Sequence, residues 1–110
     1  MGLRNFIVAL CSGPSVTELS RQLAQRAYAA VRESIGPHVL DWSRAEARGY
    51  VRAKAGPVIR AEAALLLSRH AGLSQARLAA VVSQASDRVV QSLLSDMNRE
   101  RSRRLLHRAA

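Results

Sequence analysis

Three observations predict an all-α fold for this chain, a compact bundle of about five short amphipathic helices with a basic C-terminal helical extension. The apolar residues are mostly Ala, Leu and Val, with one Phe, one Trp and two Tyr, so helix formers dominate and sheet formers are thin. Apolar positions recur every three or four residues along most of the chain. Capping and breaking residues then punctuate those periodic runs. At 110 residues and 48% hydrophobic content there is enough apolar material for one core, and one helical domain over 1–110 is expected. A core this rich in Ala requires close helix approach, because short side chains fill little space.

The first element follows Ser12-Gly13-Pro14. Ser15 and Glu18 have the spacing of a capping box. Val16, Leu19, Leu23, Ala27, Val31 and Ile35 mark one face, while Arg21, Gln22, Gln25, Arg32 and Glu33 fall elsewhere on the wheel. A helix over 15–35 is predicted, ended by Gly36-Pro37. Ser43 and Glu46 repeat the box and open a helix over 43–55, stopped by Gly56-Pro57. Ala45, Gly49 and Ala53 form a small-residue seam along it, with Arg44, Arg48 and Arg52 as a basic stripe beside the seam.

Pro57 fits the first turn of a third helix over 57–71. Ala63, Ala64, Leu65, Leu66 and Leu67 make this helix apolar on nearly every side, so it should be the most buried, with Gly72 as a left-handed C-terminal cap. Ser74 starts a fourth helix over 74–84 carrying Leu78, Val81 and Val82. Ser86-Asp87 caps a fifth over 86–107, with Val89, Val90, Leu93, Leu94 and Met97 inward. From Arg99 the chain reads Arg-Glu-Arg-Ser-Arg-Arg. A heptad begun at Val90 and Met97 would put Arg104 in its seam, so 99–110 is expected as a basic tail rather than a coiled coil.

The formal net charge is +9, from 17 Lys and Arg against 8 Asp and Glu, and Lys54 is the only lysine. A GC-rich genome would explain the choice of Arg over Lys, but not the excess of bases over acids. Such a surface attracts polyanions. Catalysis finds little support. Ser15, Ser43, Ser74 and Ser86 are taken up by caps, and neither a Gly-x-Ser-x-Gly elbow nor a glycine-rich phosphate loop occurs. Cys11 with His38 or His70 is the remaining nucleophile option, and His38 with Asp41 the remaining metal edge. No enzyme activity, metal or cofactor is expected. Cys11 is the only cysteine, so no internal disulfide forms. The apolar stretch from Phe6 to Cys11 is too short for a membrane span or signal core, and a cytoplasmic protein is expected.

Two binding roles follow. Leu78-Ala79, the turn region Ser83-Gln84-Ala85-Ser86, and Val89 with Leu93 resemble a helix-turn-helix outline. Ser83 stands where Gly is usual and Gln84 where an apolar residue is usual, and plain antiparallel helix packing gives the same pattern. On that outline Arg88 and Gln91 lie at the front of a reading helix. Arg99, Arg101, Arg103, Arg104 and Arg108 form an arm for phosphates or a solvated tail. Trp42 and Tyr50 read as packing residues, with base stacking beside Arg44 and Arg48 as the alternative. Nucleic acid is one expected partner. The other is a protein chain, including a homodimer, docking on the Ala45, Gly49 and Ala53 seam and on Leu65, Leu66 and Leu67.

Overall fold

The computed structural model describes residues 15–109, and their regular structure is entirely helical. The elements are α1 (Val16–Ser34), a short 3-10 helix (Pro37–Asp41), α2 (Arg44–Arg69) and α3 (Gln75–Ala109). The five expected helices are therefore three long ones, because two of the predicted breaks do not break. Cys11 and the rest of the N-terminal stretch lie outside the described residues.

Three of the start signals act as read. Ser15 Oγ accepts the Glu18 N–H at 3.1 Å, Ser43 Oγ accepts the Glu46 N–H at 3.3 Å, and Ser74 Oγ accepts the Arg77 N–H at 3.2 Å. The first box is made on one side only. The Glu18 carboxylate turns away to Arg21 at 2.7 Å and Gln22 at 3.3 Å. The Arg21 hydrogen bond is the main reason its carboxyl titrates below the usual carboxylate range.

α2 runs straight through Gly56-Pro57. Its buried residues Ala47, Val51, Ala55, Ile59, Ala63 and Leu66 make one uninterrupted row across the pair. Stopping the helix there would pull half of that row off the core. The local cost is also reduced. Proline removes the hydrogen bond to the carbonyl four residues back, here Ala53, and both Pro57 and Ala53 are exposed, so water can serve that oxygen. A helical residue before proline normally suffers a clash between its Cβ and the proline ring, and Gly56 has no Cβ. The segment 57–71 is not buried all round. Leu65 and Leu67 are 52% and 39% exposed, and only Ile59, Ala63 and Leu66 enter the core. The helix ends at Arg69, capped by His70 N–H bonds to the Leu66 and Leu67 carbonyls, and Gly72 does not adopt the left-handed conformation.

α3 likewise continues through Ser83-Gln84-Ala85-Ser86, so the helix-turn-helix outline has no turn and is corrected to one helix. No Gly or Pro interrupts that stretch, and Ala85 is fully buried between Val81 and Val89. Ser86 and Asp87 sit inside the helix rather than capping one.

All three helices contact one another. Ser20 of α1 lies beside Gln84 near the start of α3, and Ile35 lies near Leu93 and Met97 further along, so α1 and α3 run the same way. Arg52 meets Asp87 and the Trp42 carbonyl meets Arg101, so α2 runs opposite to α3. The buried rows Leu19-Leu23-Ala27-Val31, Val51-Ala55-Ile59-Ala63 and Val81-Ala85-Val89-Leu93 each advance by four residues. These are the ridges that interdigitate in the commonest class of helix packing. Ser20, the one buried polar side chain among the described core residues, donates its hydroxyl to the Thr17 carbonyl at 2.9 Å, with Gln84 Oε1 as the alternative acceptor at 3.2 Å.

Continuity of α2 yields a stability prediction. Replacing Pro57 by Ala should stabilise the fold by about 1–2 kcal/mol, the interior proline penalty less the entropy returned to the unfolded chain. Urea denaturation would measure it. A neutral or destabilising result would mean that Pro57 sits at the start of a separate helix.

Candidate functional site

A groove of about 850 Å³ runs between α1 and α3. Each wall repeats one pattern. On α1 the lining residues Arg21, Gln25, Tyr28 and Arg32 fall at i, i+4, i+7 and i+11. On α3 Arg88, Ser92, Ser95 and Arg99 fall at the same intervals. That spacing keeps each set on one helix face. Because the two helices run in the same direction, four arginines stand at the corners of a polar trough. The corners are separated along the axis by three helical turns, about 16 Å.

The corners differ in how free they are. Arg21 is paired with Glu18 at 2.7 Å, and Arg99 with Asp96 at 3.0 Å, both as exposed pairs within one helix. Arg32 and Arg88 form no ion pair with any described acid, and both are exposed. Exposed pairs of this kind contribute little and open readily to a competing anion. Asp96 is the single acid in the lining, so the trough is net cationic. Tyr28 packs partly into the core from the groove wall, with its hydroxyl buried and unbonded.

Of the residues predicted from sequence, Arg88, Gln91 and Arg99 come together here, although in mid-helix rather than at the front of a reading helix. Arg21, Arg32, Gln25 and Tyr28 were missed. Their signal was present in the sequence as matching Arg pairs eleven residues apart in two helices, but only the parallel packing of those helices gives it meaning.

The other predicted basic residues separate. Arg101 is committed to structure, since its Nε donates to the Leu40 carbonyl at 2.9 Å and its Nη2 to the Trp42 carbonyl at 3.1 Å. It ties the 3-10 segment, whose Val39 is buried, to α3. Arg103 and Arg104 lie 3.7 and 3.8 Å from the Glu100 carboxylate. Arg52 bonds Asp87 at 3.2 Å on the α2 side of α3, and Arg44 and Arg48 are exposed on α2, away from the groove. The predicted stripe and the groove therefore do not form one surface. Arg104 and Arg108 instead line a smaller pocket with Trp42.

The expected partner surface is also rearranged. Ala45, Gly49 and Ala53 are exposed, and a Cβ added at Gly49 would meet nothing within 4 Å. The small residues that do allow close packing, Ala47 and Ala55, lie two positions out of phase, roughly 200° around the wheel. Leu66 is core, at 5% exposure, whereas Leu65 and Leu67 face outward.

Among the described residues no three His, Cys, Asp or Glu side chains converge to hold a metal, and no helix is long and apolar enough to cross a membrane. No protein-family model, curated protein or solved structure matches the chain.

The Arg101 contacts carry a second prediction. Arg101→Met keeps the stem packing and removes both hydrogen bonds, leaving two carbonyls short of a donor. It should cost on the order of 1–2 kcal/mol in chemical denaturation. Arg103→Met, which removes only a long surface pair, should change stability by less than about 0.5 kcal/mol. Equal effects of the two would show that Arg101 does not fix the 3-10 segment.

Proposed function

We propose that this protein binds nucleic acid through its phosphate backbone, along the α1–α3 groove, in a binding rather than a catalytic role. The observation that carries this reading is the set of four corner arginines, Arg21, Arg32, Arg88 and Arg99, around a trough whose remaining lining is Gln25, Gln91, Ser92, Ser95, the apolar Ala24, Val89 and Tyr28 ring, and one acid, Asp96. Guanidinium groups grip phosphate oxygens bidentately, and neutral polar side chains between them add hydrogen bonds without adding repulsion. Duplex DNA presents one phosphate per 3.4 Å of axis on each strand, so a trough about 16 Å long faces roughly five of them. With Arg88 and Gln91 on the flank of a continuous helix, the reading is of backbone contact with little base specificity. Arg103, Arg104 and Arg108 extend the positive surface beyond the groove along α3.

Fluorescence anisotropy against labelled duplex DNA tests this. Four phosphate contacts predict a log–log salt slope of about −3.6, or roughly a hundredfold loss of affinity between about 50 and 200 mM salt. Arg32→Glu with Arg88→Glu should abolish most of the binding and flatten the slope of what remains. Reversing Arg44 and Arg48 together changes the net charge equally and should leave most of the binding in place. If both double variants lose affinity alike, the effect is of overall charge and the groove is not the site. If the unaltered protein shows no binding at low salt, the nucleic-acid reading fails.

A second reading is favoured by one observation, the exposure of Leu65 and Leu67 on the same helix as the uncovered Ala45, Gly49 and Ala53. Here α2 docks another protein chain, a second copy being the simplest case. Gly49→Ala separates the cases. With open space at its Cβ, the substitution should stabilise a lone chain by about 1 kcal/mol. A close helix contact at Gly49 in a dimer would instead be broken, and sedimentation velocity would register the loss of the dimer.

A further inference from the structure

Beyond the groove, the far end of the molecule carries a second pocket of about 340 Å³, lined by Leu40, Asp41, Trp42, Arg101, Arg104, Leu105 and Arg108. Its volume falls in the range of small-ligand sites. The 3-10 segment forms one wall, held in place by Arg101, whose guanidinium is already engaged with backbone carbonyls. Arg104 and Arg108, four residues apart on α3, therefore present their charge to the pocket from one helix face. Arg108 pairs with no described acid, and Arg104 has only the 3.8 Å approach to Glu100. Trp42 is partly buried and braced edge-on by Tyr50 at 5.1 Å between ring centroids. A fixed indole next to two available guanidinium groups combines an aromatic surface with a phosphate clamp.

We propose that this pocket takes one unpaired nucleotide of a single strand, with the base stacked on Trp42 and its phosphate held by Arg104 and Arg108. The inference rests on the nucleic-acid reading and deepens it. Arg104 and Arg108, distant from Trp42 in sequence, join it in lining this pocket. Asp41, which also lines the pocket, accepts a hydrogen bond from a base N–H such as thymine N3–H. The pocket lies about half a turn round α3 from the groove. A small depression between them shares Arg32 and Asp96 with the groove and Leu40 with the pocket. A strand leaving the groove for Trp42 crosses this depression past Asp96 and Glu100, with Arg32 as its one cation. A duplex keeps its bases stacked within itself and has no unpaired base to offer, so the pocket selects single strands.

Trp42 is the only tryptophan, so intrinsic emission reports on this pocket alone. The full chain would be titrated with oligothymidylate, with duplex of equal length, with thymidine monophosphate and with inorganic phosphate, reading Trp42 emission, and with anisotropy alongside for the labelled DNAs. Oligothymidylate is expected to quench Trp42, and duplex to bind without quenching. Trp42→Leu should weaken single-strand binding by roughly five- to a hundredfold while sparing duplex binding. Arg108→Gln, at an exposed position near the helix end, provides a variant that leaves the core intact and should weaken single strands severalfold. Single-strand binding with unchanged emission, or with unchanged affinity in Arg108→Gln, overturns the pocket and leaves the groove standing. Quenching by inorganic phosphate equal to that by the nucleotide overturns the stacking role. If duplex does not bind while oligothymidylate binds and quenches Trp42, the groove reading fails by itself and the pocket stands; if neither DNA binds, both readings fail.

Discussion

The apolar stripe of α3 is the constraint on which the remaining structure depends. Val81, Ala85, Val89, Val90 and Leu93 are all buried and pack in one cluster with the inner rows of both α1 and α2. Because one helix serves two partners, it cannot break where they meet it, and the stretch from Ser83 to Ser86 stays helical although several of its residues favour turns. The same demand holds α2 together across Gly56-Pro57. Tertiary burial of a continuous row outweighs a local penalty of about 3 kcal/mol, as it can wherever several core residues depend on one geometry.

This packing also decides where the charge goes. With α1 and α3 parallel and joined through Ser20, Gln84 and the Leu/Val rows, the residues flanking those rows face each other across a trough. The arginines at its corners stand on rigid helices rather than on loops, so their spacing is fixed by the helical repeat. Arg101 takes the opposite role. Two residues beyond Arg99, on the other flank of α3, it satisfies the backbone of the connecting segment, and that fixes the wall of the pocket beside Trp42. Arginines a few residues apart thus differ in function because of the face they occupy.

α2 shows how two similar small-residue rows diverge. Ala47 and Ala55 meet the neighbouring helices, while Ala45, Gly49 and Ala53 face outward. Both rows have the right composition for close approach. Only the row aligned with Val51 and Ile59 carries enough apolar area to be drawn inside, at about 25 cal/mol per Å² buried.

The sequence by itself determined the helical class, the three Ser caps at residues 15, 43 and 74, the first helix with its end before Gly36-Pro37, and the core faces of α1 and of most of α3, but not the buried row Ala47, Val51, Ala55 and Ile59 of α2. These follow from local hydrogen-bonding and periodicity, which neighbouring residues dictate. The tertiary structure decided which breakers break, which of two small rows is buried, and which arginines meet. Gly56-Pro57 looks like a stop because the local chain disfavours helix there, and nothing local records that Ala47 to Leu66 must remain in line. The groove was present in the sequence as two separate sets, Arg21 with Arg32 and Arg88 with Arg99. Their distance in sequence hides that they are neighbours, and only the parallel packing of α1 on α3 makes them one site.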